Sequence, residues 1–368
     1  MMRVIISGGG TGGHVFPAIA IADKIKEKHP EAQIRFIGAK GKIEMDRVPK
    51  AGYPIDGLWI SGISRSSMAK NLQFPLKLMS SLWNSWKIIR RFKPDLAIGV
   101  GGYASGPALA VGQILGVRTM IQEQNSYPGI TNKLLGKRVD KVCVAYDRME
   151  RFFPKEKLVL TGNPVRANLR NPLGNRAEAA AHFGLDPERP VIFVFGGSLG
   201  ARSINRALMA QVDYFTKHPE VQLIWQTGKL TFEECIGSEL ASLDQVKVLS
   251  FIDRMDYAYD LASVVVGRAG ALTISELCLQ AKAVILVPLP SAAEDHQTQN
   301  AQSLVDKEAA IMVSDAKAKE QLVPKIFELL EDSTIRVRME KNITQLAVAD
   351  AANRIVDIAS QLINEKEG

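Results

Sequence analysis

The chain reads as short apolar runs separated by longer amphipathic stretches. Arg3-Val-Ile-Ile-Ser7, Gln33-Ile-Arg-Phe-Ile37, Asp95-Leu-Ala-Ile-Gly99, Arg118-Thr-Met-Ile-Gln122 and Lys141-Val-Cys-Val-Ala145 have strand length and composition, and Pro17–Lys28 has a helical pattern. Runs that are apolar throughout, not at alternate positions, are buried on both faces, as in a parallel sheet covered by helices. The pattern restarts after Thr161-Gly-Asn-Pro-Val-Arg166. Pro190-Val-Ile-Phe-Val-Phe195, Val221-Gln-Leu-Ile-Trp225, Val246-Lys-Val-Leu249, Ala262-Ser-Val-Val-Val266 and Ala283-Val-Ile-Leu-Val287 form a second series. The expectation is an α/β protein with two Rossmann-like, doubly wound parallel-sheet domains, residues 1–163 and 164–349. A last helix within 350–368 could pack on either domain, back on the first among the options. Open parallel sheets bind ligands beyond the carboxyl ends of their strands, so two such domains are expected to turn their ligand edges onto a central cleft.

At 368 residues, 46% apolar and 23% charged, the chain is too long for one ordinary core and too apolar for disorder. No apolar run approaches the roughly 18 to 20 residues that span a bilayer. The N-terminus lacks the cationic, apolar and small-residue order of a secretory signal. The chain is therefore expected to be neither exported nor membrane-spanning. Cys143, Cys235 and Cys278 are odd in number and far apart, which fits reduced thiols and not a disulfide framework or zinc cluster. The net charge of +7 is unevenly spread: residues 1–165 carry +13 and residues 166–368 carry −6. An anionic partner should dock on the first half, whether nucleic acid, an anionic membrane or a phosphorylated substrate. Nucleic acid is disfavoured because no aromatic array interleaves with basic residues over a sheet.

Three glycine-rich segments follow predicted strands. In Ser7-Gly-Gly-Gly-Thr-Gly-Gly-His14, the glycines permit a tight turn and close approach of backbone N–H groups to an anion, and the following helix adds its positive end. Gly8, Gly10 and Gly13 match the dinucleotide fingerprint, but the second strand ends in Gly38-Ala39 where a nicotinamide site wants an acid. No Gly-Lys-Ser/Thr follows, which excludes a Walker loop. Gly101-Gly-Tyr-Ala-Ser-Gly-Pro107 and Gly196-Gly-Ser-Leu-Gly-Ala-Arg202 are the other two segments, so two phosphorylated ligands are expected. The sequence holds no Asp-x-Asp, His-Glu-x-x-His or Cys-x-x-Cys, so the chemistry is expected to need no metal and no cofactor. Helix dipoles and an arginine would then stabilise a departing phosphate.

Phe74–Phe92 reads as a helix with a polar stripe of Lys77, Ser80, Ser81, Asn84, Lys87 and Arg91. Apolar residues cover much of the rest, among them Leu78, Met79, Leu82, Trp83, Trp86 and Ile89. Such a stripe serves equally as core. Two tryptophans beside Lys87, Arg90, Arg91 and Lys93 favour an anionic membrane surface, with Leu82, Trp83, Trp86, Lys87 and Arg90 as the contact set.

These segments together resemble the lipid I N-acetylglucosaminyltransferases of glycosyltransferase family 28. The resemblance covers essentially the whole chain and adds Glu-Gln-Asn125, Gly-Asn-Pro-Val-Arg166, Arg268-Ala-Gly-Ala-Leu-Thr-Ile-Ser-Glu276 and Asp295-His-Gln-Thr-Gln-Asn300 to the glycine motifs. It implies a GT-B fold, an acceptor- and membrane-binding first domain and a UDP-GlcNAc-binding second domain. The implied activity is inverting transfer of GlcNAc from UDP-GlcNAc to lipid I, forming lipid II for peptidoglycan at the cytoplasmic face of the bacterial inner membrane. Other cell-wall synthesis enzymes are the implied protein partners.

The resemblance places the donor against Thr11, Gly12, Gly13, Asn125, Arg166, Ser198, Ile252, Ala271, Leu272, Thr273, Ile274, Ser275, Glu276 and Gln297. Glu276 would meet the ribose hydroxyls, since a carboxylate accepts two bonds from a vicinal diol. Ile252 would meet uracil through its backbone, and Ser198 the diphosphate. The acceptor pyrophosphate would lie against Gly101, Gly102, Tyr103 and Ser105. Two bases stay open for the acceptor hydroxyl, His14 at a helix N-terminus, whose positive end favours the neutral imidazole, and Glu123. Leu199 stands where the family usually has glutamine, and Ala281-Lys-Ala283 replaces a common Gly-Lys-Pro. One further residue between Pro288 and Gln297 leaves Gln299 as the competing sugar ligand. The alternatives are another GT-B UDP-sugar enzyme, a glycolipid synthase or UDP-GlcNAc epimerase, and a non-enzymatic binder using the basic half.

Overall fold

The computed structural model describes residues 2–62, 72–165, 174–197, 199–292 and 295–367. The chain divides into two units, Met1–Arg166 with Asp350–Gly368, and Ala167–Ala349.

The first unit is built on β1 (Arg3–Ser7), β2 (Gln33–Ala39), β3 (Ile55–Leu58), β4 (Leu96–Gly99), β5 (Arg118–Glu123), β6 (Lys141–Val144) and β7 (Leu158–Leu160). All pair in parallel in the order β3-β2-β1-β4-β5-β6-β7. Its helices are α1 (Gly12–Lys28), α2 (Glu44–Lys50), α3 (Phe74–Phe92), α4 (Ser105–Ile114) and α5 (Ile130–Gly136). Successive strand residues point to opposite faces, and both faces are dry. Val4 and Ile6 meet Val15, Ile21 and Ile25 of α1, whereas Ile5 meets Ile88 and Ile89 of α3 and Leu109 of α4. Ile355, Val356, Ala359 and Leu362 of the last helix, Ala351–Glu367, join the α1 side of this core. Lys28 pairs with Asp357 at 2.6 Å across that contact.

The second unit repeats the plan. It has β8 (Val191–Phe195), β9 (Gln222–Gln226), β10 (Val246–Leu249), β11 (Ala262–Gly267), β12 (Ala283–Leu286) and β13 (Ile311–Met312). They form a parallel sheet in the order β10-β9-β8-β11-β12-β13. The helices include α6 (Arg176–Phe183), α7 (Arg202–Met209), α8 (Val212–Lys217), α9 (Phe232–Ile236), α10 (Met255–Leu261), α11 (Ala271–Gln280), α12 (His296–Val305), α13 (Ala318–Glu331) and α14 (Ser333–Thr344). Ile192 and Val194 pack on α7 and α13, while Phe193 turns its ring to Tyr259 of α10 at 5.4 Å.

In each sheet the strand order reverses at one point, between β1 and β4 and between β8 and β11. Loops diverge there and leave a crevice at the carboxyl ends of the strands. The glycine segments lie at these two places.

Three strands absent from the sequence reading, β3, β7 and β13, are short edge strands of two to four residues, too brief for an apolar run to show. Helix α1 begins at Gly12, five residues before the expected Pro17, so Gly12, Gly13 and His14 form its first turn. Among the described residues no helix is long and apolar enough to cross a membrane. Cys143, Cys235 and Cys278 are buried and free.

Candidate active site

At the β1/β4 crevice two glycine segments lie back to back. Gly9 N–H donates to the Gly101 carbonyl at 3.2 Å, and Gly8 N–H to the Ile37 carbonyl at 3.3 Å. A Cβ on Gly102, which has φ 86°, would run into the backbone of Gly9. Gly10 N–H donates to Glu44 Oε2 at 2.8 Å. The amides of Gly8, Gly9 and Gly10 are therefore spent inside the protein. The groups open to an anion are the first-turn amides of α1 at Gly12 and Gly13, which have no intrahelical acceptor.

His14 lies half-buried on this platform. Its Nδ1 is 3.0 Å from the Gly9 carbonyl oxygen and 3.3 Å from Thr11 Oγ1. A carbonyl only accepts, so Nδ1 carries the proton and Nε2 holds the basic lone pair of the neutral ring. The ring edge is so close to Gly101 that a Cβ there would approach Cδ2 and Nε2 to 2.9 Å.

Glu123, at the end of β5, is 2% exposed. Oε1 accepts Asn125 N–H at 2.9 Å and Asn125 Nδ2 at 3.1 Å, and Oε2 accepts Asn132 Nδ2 at 2.8 Å. Burial raises its pKa above the usual carboxylate range, while these donors favour the charged form. Behind it, Gln124 Nε2 donates to the Val100 carbonyl at 2.9 Å, and Gln122 Nε2 to Asn163 Oδ1 at 2.8 Å. This buried network ties the turns after β4, β5 and β7 together. Glu123 thus orients Asn125 and Asn132, and both of its oxygens are already engaged by these donors.

Tyr103 is 51% exposed and its ring covers Gly62, where no Cβ could fit. Ser105 departs from expectation. It is fully buried, and its Oγ donates to the Gly102 carbonyl at 2.8 Å. It shapes the second glycine turn from within and cannot wrap a ligand. Ala104 is buried as well and Pro107 has no N–H, so within the first turn of α4 only the half-exposed Gly106 can offer an amide outward.

Arg166 and Ser198 lie outside the described residues. In the second unit, Gly200 (φ 86°) presses against the Thr227 carbonyl, and Gln226 Nε2 reaches the Gly197 carbonyl at 3.2 Å. Asn205 Nδ2 donates to the Thr227 carbonyl at 2.9 Å and to Thr231 Oγ1 at 2.8 Å, and Asn205 Oδ1 accepts from Trp225 Nε1 at 2.9 Å. Ile252 N–H already donates to Gln226 Oε1 at 3.0 Å, so a base contact through this backbone falls to its carbonyl, which suits uracil N3–H.

Helix α11 starts at Ala271 directly after β11, behind an extended Gly270. Its 3.6-residue period divides the expected 271–276 stretch. Leu272, Thr273 and Ser275 are half-exposed, Ala271 and Glu276 are largely covered, and Ile274 at 2% exposure is a core residue and no lining group. Ser275 Oγ donates back to the Ala271 carbonyl at 3.0 Å. Gln297 sits in the first turn of α12, where Oε1 accepts Leu289 N–H at 3.0 Å and the side chain can still donate. Gln299, about 200° further round the helix, is exposed on another side.

Two groups were given no role of their own in the sequence reading. Arg268 bonds Asp315 Oδ1 at 2.5 Å, Ser203 Oγ at 3.0 Å and the Val287 carbonyl at 3.1 Å, pinning the end of β11 to α7. Glu44 is the other. An acid in a helix's first turn, here beside Asp46, reads as a partner of the dipole, and nothing local marks it as buried.

Helix α3 turns its faces differently from the expected stripes. Ser81 and Ser85 are fully buried, where small side chains let α3 lie close on α4, and Ser81 Oγ donates to the Trp59 carbonyl at 3.1 Å. Leu82 and Trp86 are half-buried against the core. The apolar groups in solvent are Leu76 (62% exposed), Met79 (68%) and Trp83 (55%). Trp83 stacks on Trp86 at 5.0 Å, with Lys87 5.2 Å over the first ring and Arg90 5.0 Å over the second. The expected contact set is thus corrected: Leu82 and Trp86 support the exposed patch from beneath.

Comparison with known proteins agrees with both units. The family model described as the glycosyltransferase family 28 N-terminal domain matches residues 4–144, and that of the C-terminal domain matches residues 191–355. A protein of Parabacteroides distasonis is 50% identical over 99% of both chains. One of Phocaeicola vulgatus is 52% identical over 96% of this chain and 94% of its own. Both are named UDP-N-acetylglucosamine–N-acetylmuramyl-(pentapeptide) pyrophosphoryl-undecaprenol N-acetylglucosamine transferase. The crystal structure of Acinetobacter baumannii MurG is similar with a TM-score of 0.79 and 27% identity, covering 98% of this chain and all of the other. A UDP-GlcNAc 2-epimerase from Neisseria meningitidis, at TM-score 0.68 and 12% identity over 98% of this chain and all of its own, shares the fold. With two Rossmann-like units of GT-B type, both matched by the family's models, and full-length relatives about half identical, this chain belongs to glycosyltransferase family 28.

Proposed function

We propose that this chain transfers N-acetylglucosamine from UDP-GlcNAc to the 4-hydroxyl of the N-acetylmuramyl group of lipid I, giving lipid II. The observation that carries this reading is the near-full-length relatives, about half identical, that bear the name of that transferase. The geometry supplies a mechanism consistent with it. The acceptor pyrophosphate lies against the amides of Gly106 and of the first turn of α1, beside Tyr103. The acceptor hydroxyl gives its proton to His14 Nε2 as its oxygen attacks the anomeric carbon, which inverts the α-linked donor to a β-glycoside. Glu123 holds Asn125 and Asn132 in place and does not itself take the proton.

The second unit holds the donor. The Ile252 carbonyl accepts from uracil, Glu276 receives the ribose hydroxyls, and Gln297 donates to the sugar. The diphosphate leaves toward the Gly196–Gly200 turn, with Ser198 and Arg166, and the first-turn amides of α11. No metal ion is required in this scheme, since oriented amides and an arginine take up the developing charge. The exposed Leu76, Met79 and Trp83, ringed by Lys87 and Arg90, hold the protein at the anionic cytoplasmic face of the inner membrane as a peripheral enzyme. There it meets lipid I and other enzymes of cell-wall synthesis.

Mass spectrometry of product from UDP-GlcNAc and lipid I, with and without chelator, tests the reading. Addition of one N-acetylhexosamine in both arms is expected. Conversion of UDP-GlcNAc alone to its 2-epimer would replace this reading with the epimerase one, and loss of product with chelator would overturn the metal-free step. His14→Ala should lower kcat by about 10²–10⁴-fold while leaving UDP-GlcNAc affinity within twofold. An unchanged kcat would remove His14 as the base.

A further inference from the structure

Glu44 is a buried carboxylate that the scheme above leaves without a part. It is 1% exposed and belongs to the first turn of α2, beyond the end of β2. Oε2 accepts Gly10 N–H at 2.8 Å and Oε1 accepts Ala39 N–H at 2.9 Å. Its side chain fills the space that a Cβ would need on two glycines. On Gly9 the Cβ would strike the carboxylate, and on Gly38 it would come to 2.6 Å from Cγ. The glycine at the end of β2, where a nicotinamide-binding unit would carry an acid, is thus glycine because another acid has folded over it. That acid faces the glycine turn and not a ribose.

The turn so held is the one that orients His14. Gly9, between Glu44 and the Gly101 carbonyl, presents its own carbonyl to His14 Nδ1 at 3.0 Å. A bidentate carboxylate on two backbone amides is a stiff, charge-assisted clamp, and the Ala39 amide, buried with it, has no water to fall back on. We propose that Glu44 is a positioning residue for the proton acceptor: by clamping Gly10 and Ala39 it fixes the Gly9 carbonyl, which keeps the proton on His14 Nδ1 and the lone pair on Nε2. This inference rests on the reading of His14 as the base, and deepens it.

The test combines kinetics with the tautomer of His14, read by long-range ¹H–¹⁵N correlation on histidine-labelled protein and assigned with His14→Ala. The wild-type protein should show the Nδ1–H tautomer. In Glu44→Gln one of the two amides faces an NH2 group in place of an acceptor. This variant should lower kcat by roughly ten- to a hundredfold, the scale of a misplaced catalytic group. Its KM for UDP-GlcNAc should stay within about twofold, and the His14 signal should become a tautomer mixture. Glu44→Asp keeps the charge but is too short to span both amides, and should fall between.

A folded Glu44→Gln protein with wild-type kcat and wild-type His14 signals would overturn the proposal. So would a variant whose only defect is a raised KM for UDP-GlcNAc. If neither variant folds, the wild-type spectrum decides, since an Nε2–H tautomer is incompatible with the clamp as described. If His14→Ala retains its kcat while Glu44→Gln still scrambles the tautomer, the base reading fails and the clamp stands.

Discussion

The outward face of α3 gives the most quantitative forecast. Replacing Leu76, Met79 and Trp83 together by serine removes side chains that are 62%, 68% and 55% exposed. Full burial contributes about 2 kcal/mol for leucine or methionine, and we take about 3 kcal/mol for the larger tryptophan. Scaled by exposure, these three offer about 4 kcal/mol to an apolar phase. A helix lying in the headgroup boundary immerses only part of that surface, so about 2 kcal/mol is expected, or roughly a thirtyfold weaker partition onto vesicles. The folded protein should lose little, because Leu76 and Met79 stand mostly in solvent, Trp83 gives up only its stacking on Trp86, about 0.5–1.5 kcal/mol, and serine costs a helix only a few tenths of a kcal/mol per site. The assay is sedimentation with anionic vesicles at low and high salt, beside turnover on a short-chain, water-soluble acceptor. Binding should fall about thirtyfold, the remainder should be salt-sensitive through Lys87 and Arg90, and soluble-acceptor turnover should hold. Unchanged partition would refute the membrane face. An equal loss on the soluble acceptor would show that these side chains serve the catalytic fold.

Gly200→Ala should destabilise the second unit by about 2–5 kcal/mol, combining left-handed backbone strain with a collision against the Thr227 carbonyl, and should weaken UDP-GlcNAc binding in calorimetry. Gly184→Ala, also at positive φ (63°) but with nothing within 4 Å, should show the backbone cost of about 1–2 kcal/mol without the loss of donor affinity. Ala281, at φ 51° where the family usually has glycine, should yield about 0.5–1 kcal/mol of added stability when changed to glycine, seen as a higher urea midpoint at unchanged activity. Burial pushes the thiols of Cys143 and Cys278 up to about 12 and that of Cys235 up to about 11. Thiolate is therefore scarce in the native protein, and alkylation at pH 8 should be slow until denaturant is added; rapid native labelling would contradict this burial.

Much of the candidate site was legible because its signals are local. Glycines after an apolar run mark a turn where side chains cannot fit, and the turns at Gly8–Gly13, Gly101–Gly102 and Gly196–Gly200 lie at the two switch points. The errors came where a partner distant in sequence decides the outcome. Ser105 looked like a phosphate ligand because serine beside glycine often is one, but the helix start turns its hydroxyl back to Gly102. Ile274 was carried along with its neighbours, although a helix period sends it inward. Ser81 read as part of the polar stripe, and only the closeness of α4 explains why Ser81 and Ser85 are inside and Met79 and Trp83 are out.

The amino-acid order alone determined two parallel α/β units, their principal glycine turns and the family, since apolar runs and conformational limits of glycine act over a few residues. Tertiary structure decided which atoms of those turns remain available. The amides of Gly8, Gly9 and Gly10 are satisfied by Ile37, Gly101 and Glu44, and the proton on His14 is directed by a carbonyl five residues away. Hydrogen-bond groups are saturable, so each one's availability depends on what the fold brings beside it, and that is not written in any local stretch of sequence.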